Sequence, residues 1–403
     1  VHEIIRRAFE GPTIFRDESK LFPDYIPFYL PHREAQLQSL ARYFRVILDK
    51  PGSVSQKVII TGPVGTGKTV VSKRFGLEVE KYAADKNLKL RYVHVNCHRD
   101  RTLFLVMRRI AEVLSCPIPS RGLSSQEIMH LLRDILEHED MYLLIALDEV
   151  DYLVRTAGGD VLYDLIRITE DEVDMKCRFN YILIMRDLSI IPALDRSITS
   201  ALMHNIIRFS PYTSGQIMDI LRDRVNEAFE PGVVGHETLK LISDITGFDT
   251  GGPGDARYAL ELLWRAGRYA EQEGYSRVMP DHVRKAKRDI HPSLRTEVID
   301  SLALHEKLLL LAIVRSLRKS GRAYISLGMA EREYKLVCEE WNERPRRHTQ
   351  VWEYVQSMKR SGILMTRISG PGYRGKTTLI SLPDVPTEIM ERYLIESLRR
   401  LKS

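Results

Sequence analysis

Residues 58–81 read Val-Ile-Ile-Thr-Gly-Pro-Val-Gly-Thr-Gly-Lys-Thr-Val-Val-Ser-Lys-Arg-Phe-Gly-Leu-Glu-Val-Glu-Lys. Gly62 to Thr69 spell G-x-x-x-x-G-K-T between an apolar run and a helix-like segment, Val70 to Lys81. In that strand–loop–helix context the pattern is a phosphate-binding loop. Glycines let backbone N–H groups curl around an anion, and the next helix points its positive end at the same place. The chain from Pro63 through Val64, Gly65, Thr66 and Gly67 to Lys68, Thr69 and Val70 is thus the expected cradle for a nucleoside triphosphate. Lys68 is expected to reach the β- and γ-phosphates, and the Thr69 hydroxyl to help hold Mg²⁺.

Working outward, short apolar strands are expected at 57–61, 91–95, 141–147, 179–185 and 205–209, mostly with helical patterns between them. Near-continuous apolar strands separated by helices predict an α/β fold with a parallel sheet covered on both faces. Ligands of such sheets sit at the carboxyl ends of the strands. The third strand ends in Asp148-Glu149, the acidic pair expected one strand away from a phosphate loop. Asp148 is expected to contact Mg²⁺ and Glu149 to act as general base on the attacking water. The fourth strand ends in Met185-Arg186-Asp187, where ATPases of this architecture usually carry a polar residue that senses the γ-phosphate.

Before the sheet, residues 1–32 read as an irregular arm with three prolines in 23–31, followed by a helix from about His32 to Leu48. After it, from Ser210 to about Ile290, the pattern is helical only, with helices expected at 216–229 and 258–273. The sharp loop Gly251-Gly252-Pro253-Gly254-Asp255-Ala256-Arg257 leads into the second of these. Arg257 at a helix start opposes the macrodipole unless an anion lies nearby.

The last hundred residues predict helices at 301–319, 329–341 and 349–361. A strand at 363–368, a glycine-rich turn and a strand at 376–382 follow, with a closing helix at 387–401. Three helices and a basic hairpin make a winged helix-turn-helix. Arg346, Arg347, His348 and Gln350 at the start of its third helix are placed to enter a major groove, and Tyr373, Arg374 and Lys376 at the wing tip to reach backbone or minor groove.

Charge supports this. The net charge is +6, yet residues 301–403 hold 19 Lys/Arg against 11 Asp/Glu, so the surplus lies in the C-terminal part. A polyanion partner is therefore expected there. At 403 residues, 44% hydrophobic and 28% charged, the chain is long enough for two or three domains. No apolar run approaches the ~20 residues that span a bilayer, and the start carries no apolar signal region. A cytoplasmic, nucleoid-associated protein with no membrane partner is expected. Cys97, Cys116, Cys177 and Cys338 form no C-x-x-C pair and suit a reducing compartment.

With these residues together, the chain resembles the archaeal origin-recognition and replication-licensing initiator ATPases. The marks are Tyr25-Ile26-Pro27 with Leu30-Pro31-His32-Arg33-Glu34, then the phosphate loop, Asn96 after the second strand, and Leu147 to Leu153. Pro211-Tyr212-Thr213, Gly254 to Leu260 and the winged helix complete them. The resemblance implies an AAA+ base with its N-terminal arm (1–209), a helical lid (210–295) and a winged-helix domain (296–403). It implies that Tyr25 and Ile26 lie against adenine, that Tyr212 and Arg224 contact the nucleotide, and that Arg257 senses its phosphates. ATP or ADP with Mg²⁺ are the implied cofactors. Origin duplex DNA, paralogous initiators and the replicative helicase are the implied partners, and a DNA-touching helical insertion is implied within 99–125.

Two departures stand out. Arg186 occupies the place of the family's asparagine, and in the loop 194–200 Arg196 comes one position early. Slow hydrolysis with retained nucleotide, a switch rather than a motor, is the resulting expectation. An ATP-dependent transcription regulator, or a paralogue of altered role, is the alternative reading.

Overall fold

A computed structural model describes residues 13–116, 122–167, 176–191, 199, 202–290, 299–300, 302–369, 377–383 and 385–402. They form two compact units, residues 26–212 with 254–256 in one, and residues 13–25, 213–253 and 257–402 in the other.

The first unit is built on β1 (Lys57–Thr61), β2 (Leu90–Asn96), β3 (Tyr142–Asp148), β4 (Phe179–Met185) and β5 (Ile206–Arg208), in the order β2-β3-β4-β1-β5. Every pairing is parallel, as the apolar runs predicted. Alternation divides the strand residues between two cores. Val58, Ile60, Leu144, Ala146, Ile182 and Ile184 face α1 (Glu34–Asp49) and α2 (Lys68–Asp85). Ile59, Val93, Val95, Ile145, Leu147 and Leu183 face the opposite core, with α3 (Leu103–Val113), α4 (Ser125–His138), α5 (Val150–Ala157) and α6 (Asp160–Arg167). The inner strands β3, β4 and β1 are buried on both faces, so their polar chemistry is confined to the strand ends.

Within α2, Gly76 looks costly, since glycine in a helix interior loses about 1 kcal/mol against alanine. A Cβ there would stand 2.2 Å from the Tyr92 ring, so the absent side chain is what lets β2 pack under the helix.

The second unit contains α7 (Ser214–Ala228), α8 (His236–Thr246), α9 (Ala256–Gln272) and α10 (Pro280–Ile290), then α11 (Leu304–Ser320), β6 (Ile325–Ser326), α12 (Leu327–Glu340), α13 (His348–Arg360), β7 (Met365–Ile368), β8 (Thr378–Ser381) and α14 (Thr387–Lys402). Antiparallel β6-β8-β7 with α11, α12 and α13 is a winged helix, and α14 packs its Met390, Leu394 and Leu398 into the same core. The short β6 has no counterpart in the sequence reading. Its two residues, Ile325 and Ser326, are too few for an apolar run to show.

The units group the chain differently from the expected boundaries. Residues 13–25, expected with the base, cluster with the lid helices. Phe15 stacks on Phe229 with centroids 4.6 Å apart, the Arg16 N–H donates to the Ala228 carbonyl at 2.8 Å, and Glu18 accepts from Trp264 and Arg268. Lid and winged helix likewise form one unit. Arg284 of α10 is fully buried and donates to the carbonyls of Leu382 (2.9 Å) and Ala323 (3.2 Å). Asp244 of α8, also buried, accepts from Lys240 (2.6 Å), the Tyr324 hydroxyl (2.7 Å) and Arg367 of β7 (3.2 Å).

Asp244→Ala leaves a buried tyrosine hydroxyl and a half-buried guanidinium without their shared acceptor, and is expected to cost about 3 kcal/mol. Lys240→Ala removes only the partly exposed arm and is expected to cost about 1 kcal/mol or less. Denaturant midpoints of the two variants check this ordering.

Candidate functional site

The parallel register fixes the site. Thr61 pairs with Met185 and Asn96 with Asp148, so the segments following β1, β3 and β4 leave one edge of the sheet. The Gly62 N–H donates to the Arg186 carbonyl at 3.2 Å, which ties the start of the loop to the end of β4. The backbone is left-handed at Gly65 (φ 72°) and at Gly67 (φ 89°), the cap of α2. A Cβ on Gly65 would stand 1.7 Å from the Asp255 carboxylate, and the Ala256 N–H donates to the Gly65 carbonyl at 3.1 Å. Glycine at 65 is therefore demanded by both backbone and neighbour. The Thr66 hydroxyl donates to the Pro63 carbonyl at 2.8 Å, and Lys68 Nζ donates to the carbonyls of Gly62 and Pro63, both at 2.6 Å. Pro63 and Val64 are exposed at the loop's crest, and Val70 lies in the first turn of α2.

Opposite the loop, the Thr69 hydroxyl donates to Asp148 Oδ2 at 2.6 Å. Asp148 is buried, and desolvation raises its pKa despite that hydrogen bond. His94 Nε2 lies 3.6 Å from the same oxygen, and burial lowers the His94 pKa to about 4, which keeps the ring neutral at pH 7. A buried carboxylate beside a hydroxyl is a fitting pair of hard oxygen donors for Mg²⁺. No group of three or more His, Cys, Asp or Glu residues stands ready for a metal among the described residues, so other oxygens would have to complete the shell. Glu149 caps α5 in a left-handed conformation (φ 58°), with its N–H donating to Asp148 Oδ1 at 2.9 Å. Arg186 reaches across to it, NH2 to Glu149 Oε1 at 3.2 Å. Asn96 is engaged locally, its Oδ1 accepting the N–H groups of His98 (2.9 Å) and Arg99 (3.1 Å).

Arg33, quoted in the sequence only as part of a family mark, belongs to the site as well. It is buried, donating from Nε to the Thr66 carbonyl (3.0 Å) and from NH2 to the Ser210 carbonyl (3.1 Å). Its guanidinium lies 3.7 Å from the centroid of Tyr212. Tyr212 is buried in turn, with its hydroxyl 2.8 Å from where a Gly67 Cβ would stand. One face of Tyr212 is thus taken by Arg33, and its hydroxyl end borders the loop. Ile26 belongs to this unit and is half-buried.

Tyr25, Arg224 and Arg257 belong to the other unit. There Arg224 lies 4.9 Å from the Tyr25 centroid and pairs with Glu227 at 3.0 Å, while Arg257 is exposed in the first turn of α9. The Thr213 hydroxyl caps α7 in reciprocal hydrogen bonds with Gln216, and Asp249 holds Ser214.

In the same unit, Arg346, Arg347, His348 and Gln350 are all exposed at the start of α13. The approach to that helix is fixed by a chain from His305 Nδ1 to the Tyr334 hydroxyl (2.7 Å), which accepts the Arg346 N–H (3.4 Å). His348 is paired with Glu331 of α12, so of the four it is already engaged. Tyr373, Arg374 and Lys376 at the wing tip lie outside the described residues, as does Arg196. The region 99–125 shows α3 and the first residue of α4, with 117–121 outside the description.

Arg33→Ala removes three charge-assisted hydrogen bonds, to the carbonyls of His32, Thr66 and Ser210, and the stacking on Tyr212, and is expected to destabilise the base by about 3 kcal/mol. Amide exchange at residues 62–69 is expected to quicken at least tenfold, about 1.4 kcal/mol, whereas Arg45→Ala on the exposed face of α1 is expected to leave it unchanged.

Three families match in succession, "AAA domain" over residues 54–192, "Cdc6 AAA+ ATPase-type lid domain" over 218–288 and "CDC6, C terminal winged helix domain" over 297–392. The chain is 44% identical to an ORC1-type DNA replication protein 2 of Sulfurisphaera tokodaii, over 99% of this chain and 96% of that one. It is 32% identical to an ORC1-type DNA replication protein of Thermococcus kodakarensis, over 97% and 93%. Among solved structures it is similar to Cdc6p from Pyrobaculum aerophilum, with TM-score 0.85, 35% identity, and 96% and 100% of the two chains covered. The Aeropyrum pernix ORC1 protein, solved in complex with DNA, matches with TM-score 0.62 and 31% identity over 97% and 100%. The Aeropyrum pernix ORC2 protein, solved as ADPNP–ADP complexes, matches with TM-score 0.64 and 26% identity over the same shares. With a matching AAA+ base, lid and winged helix in one order and relatives alike over nearly their whole length, the chain belongs to the archaeal ORC1/Cdc6 family of AAA+ DNA replication initiators.

Proposed function

We propose that this chain is an ATP-controlled initiator that binds duplex DNA at replication origins and helps recruit the replicative helicase. The observation that carries the nucleotide half is the Thr69–Asp148 hydrogen bond at the mouth of the phosphate loop. It joins the anion-binding turn to the acidic strand end, which is what a metal–triphosphate complex requires of its container. Backbone N–H groups from Val64 to Thr69 hold the phosphates, with Lys68 exchanging its loop carbonyls for phosphate oxygens. Thr69 and Asp148 would hold Mg²⁺, which when bound would supply charge neutralisation to the triphosphate. Glu149 takes a proton from the water that adds to the terminal phosphorus. The phosphorus–oxygen bond to ADP breaks, and its electron pair leaves with ADP. Tyr25, Ile26, Tyr212, Arg224 and Arg257 are assigned to base and phosphate recognition on the family's pattern. The burial of Tyr212 against Arg33 favours a hydroxyl contact over base stacking there.

For DNA, the supporting observation is the cluster of exposed arginines at the start of α13, beside a wing whose tip is basic in sequence. Arg346 and Arg347 are assigned to phosphates or base edges, with Gln350 and His348 behind them and Tyr373, Arg374 and Lys376 on the wing. The DNA complex of the Aeropyrum pernix ORC1 protein supports this reading. Paralogous initiators as further partners follow from the family alone.

Lys68→Ala is expected to weaken ATP binding at least a hundredfold, about 2.7 kcal/mol, and to leave DNA binding in ADP-free buffer intact. Arg347→Ala is expected to weaken duplex binding and lower the salt slope by about 1 without changing ATP affinity. Equal DNA affinity in the variant would remove α13 from the interface. Footprinting on genomic DNA at fixed salt, with ATP and ADP compared, tests the role itself. A few strong sites at origins support initiation, and promoter sites support transcriptional control instead.

A further inference from the structure

We propose that Arg186 acts as a brake on hydrolysis by holding the Glu149 carboxylate, a positioning role that rests on the reading of Glu149 as the proton acceptor. The backbone of Arg186 is fixed beside the phosphate loop, since its carbonyl accepts from both the Gly62 N–H (3.2 Å) and the Thr61 hydroxyl (3.3 Å). From there the guanidinium places NH2 3.2 Å from Glu149 Oε1. The Glu149 backbone has no freedom to compensate. It sits at φ 58°, with its N–H held by Asp148 and its carbonyl accepting the Tyr152 N–H at 2.9 Å. Only rotation of the side chain can aim the carboxylate elsewhere.

The neighbouring polar groups are committed to other partners. Asn96 caps its own turn, Arg155 lies 3.6 Å from Asp151, and Thr69 is bonded to Asp148. Arg186, which donates to Glu149 Oε1, therefore biases where that oxygen points. A carboxylate that accepts from a guanidinium has one oxygen withdrawn from the line toward water, and general-base catalysis needs a lone pair within hydrogen-bond reach of the proton it takes. The size of the effect follows from exposure. The Arg186 side chain is 57% exposed and that of Glu149 31%, so solvent and salt screen the pair. Exposed pairs of this kind bias their partners by a factor of about five at most. The brake is a slowing of turnover, not a block.

The test is single-turnover ATP hydrolysis by the full chain with Mg²⁺, beside direct measurement of ATP and ADP affinity. Arg186→Ala is expected to hydrolyse about fivefold faster with both affinities unchanged. Arg186→Lys, which keeps a cation in reach, is expected to stay slow. Raising ionic strength is expected to speed the natural chain and leave Arg186→Ala flat, a response that a purely structural role would not produce. An unchanged rate in Arg186→Ala overturns the proposal. So does a slower rate with selective loss of ATP over ADP affinity, which would make Arg186 a phosphate ligand. Glu149→Gln separates the two levels. Hydrolysis that survives it defeats the base assignment itself, whereas its loss, together with an unaccelerated Arg186→Ala, defeats the brake alone.

Discussion

A parallel sheet buried on both faces can place polar chemistry only where its strands stop. In this chain the faces of β1, β3 and β4 are fully committed to two apolar cores, with every residue of the three strands buried. The phosphate loop, the acidic pair and Arg186 therefore share one edge as a consequence of register, not of sequence proximity. Thr61, Asp148 and Met185 lie 61, 148 and 185 residues along the chain, yet the pairing of β1 with β4 and of β4 with β3 makes them neighbours.

The shape of the phosphate loop depends on residues far from it. Gly65 accommodates Asp255, Gly67 accommodates Tyr212, and Arg33 bridges Thr66 to Ser210. These contacts give a physical meaning to the two less generic family marks. The Arg33 segment and the Gly254-Asp255-Ala256 turn hold the loop from two sides. Tyr212 connects them, its N–H donating to the Gly254 carbonyl at 3.0 Å while its ring carries Arg33.

What was legible in the sequence follows from which interactions leave a periodic or compositional trace. The five strands could be read because near-continuous apolar runs bounded by helical patterns mark them. The winged helix was readable from three amphipathic helices and a charge surplus. Arg33 was not, because its partners are backbone carbonyls of Thr66 and Ser210, and a carbonyl has no residue type to search for. The pairing of Arg186 with Glu149 was equally hidden. The sequence places Arg186 at the end of β4, where the family resemblance implies an asparagine, but the direction of a long side chain is set by tertiary geometry. β6 escaped because two residues carry no period. The grouping of residues 13–25 with the lid was missed because it rests on single contacts, Phe15 with Phe229 and Glu18 with Trp264, scattered through an irregular segment.

The joining of lid and winged helix has the same origin, and its energetics are one-sided. Asp244 is buried between Lys240 on its own helix and Tyr324 and Arg367 of the winged helix. Burial next to this carboxylate raises the Tyr324 pKa far above its ordinary value, so the hydroxyl remains a donor at any physiological pH. Parting the two elements would hydrate Asp244 and Arg367 again, but only after the full loss of Arg284 from the carbonyls of Leu382 and Ala323. Those two charge-assisted hydrogen bonds, each worth about 1.5–3 kcal/mol, are lost together. That exceeds the roughly 0.5–1.5 kcal/mol net value of an ordinary hydrogen bond by which small rearrangements are governed. Displacement of the lid helices α8 and α10 therefore carries β7 and the wing with them, and the arginines at the start of α13 ride on the same body.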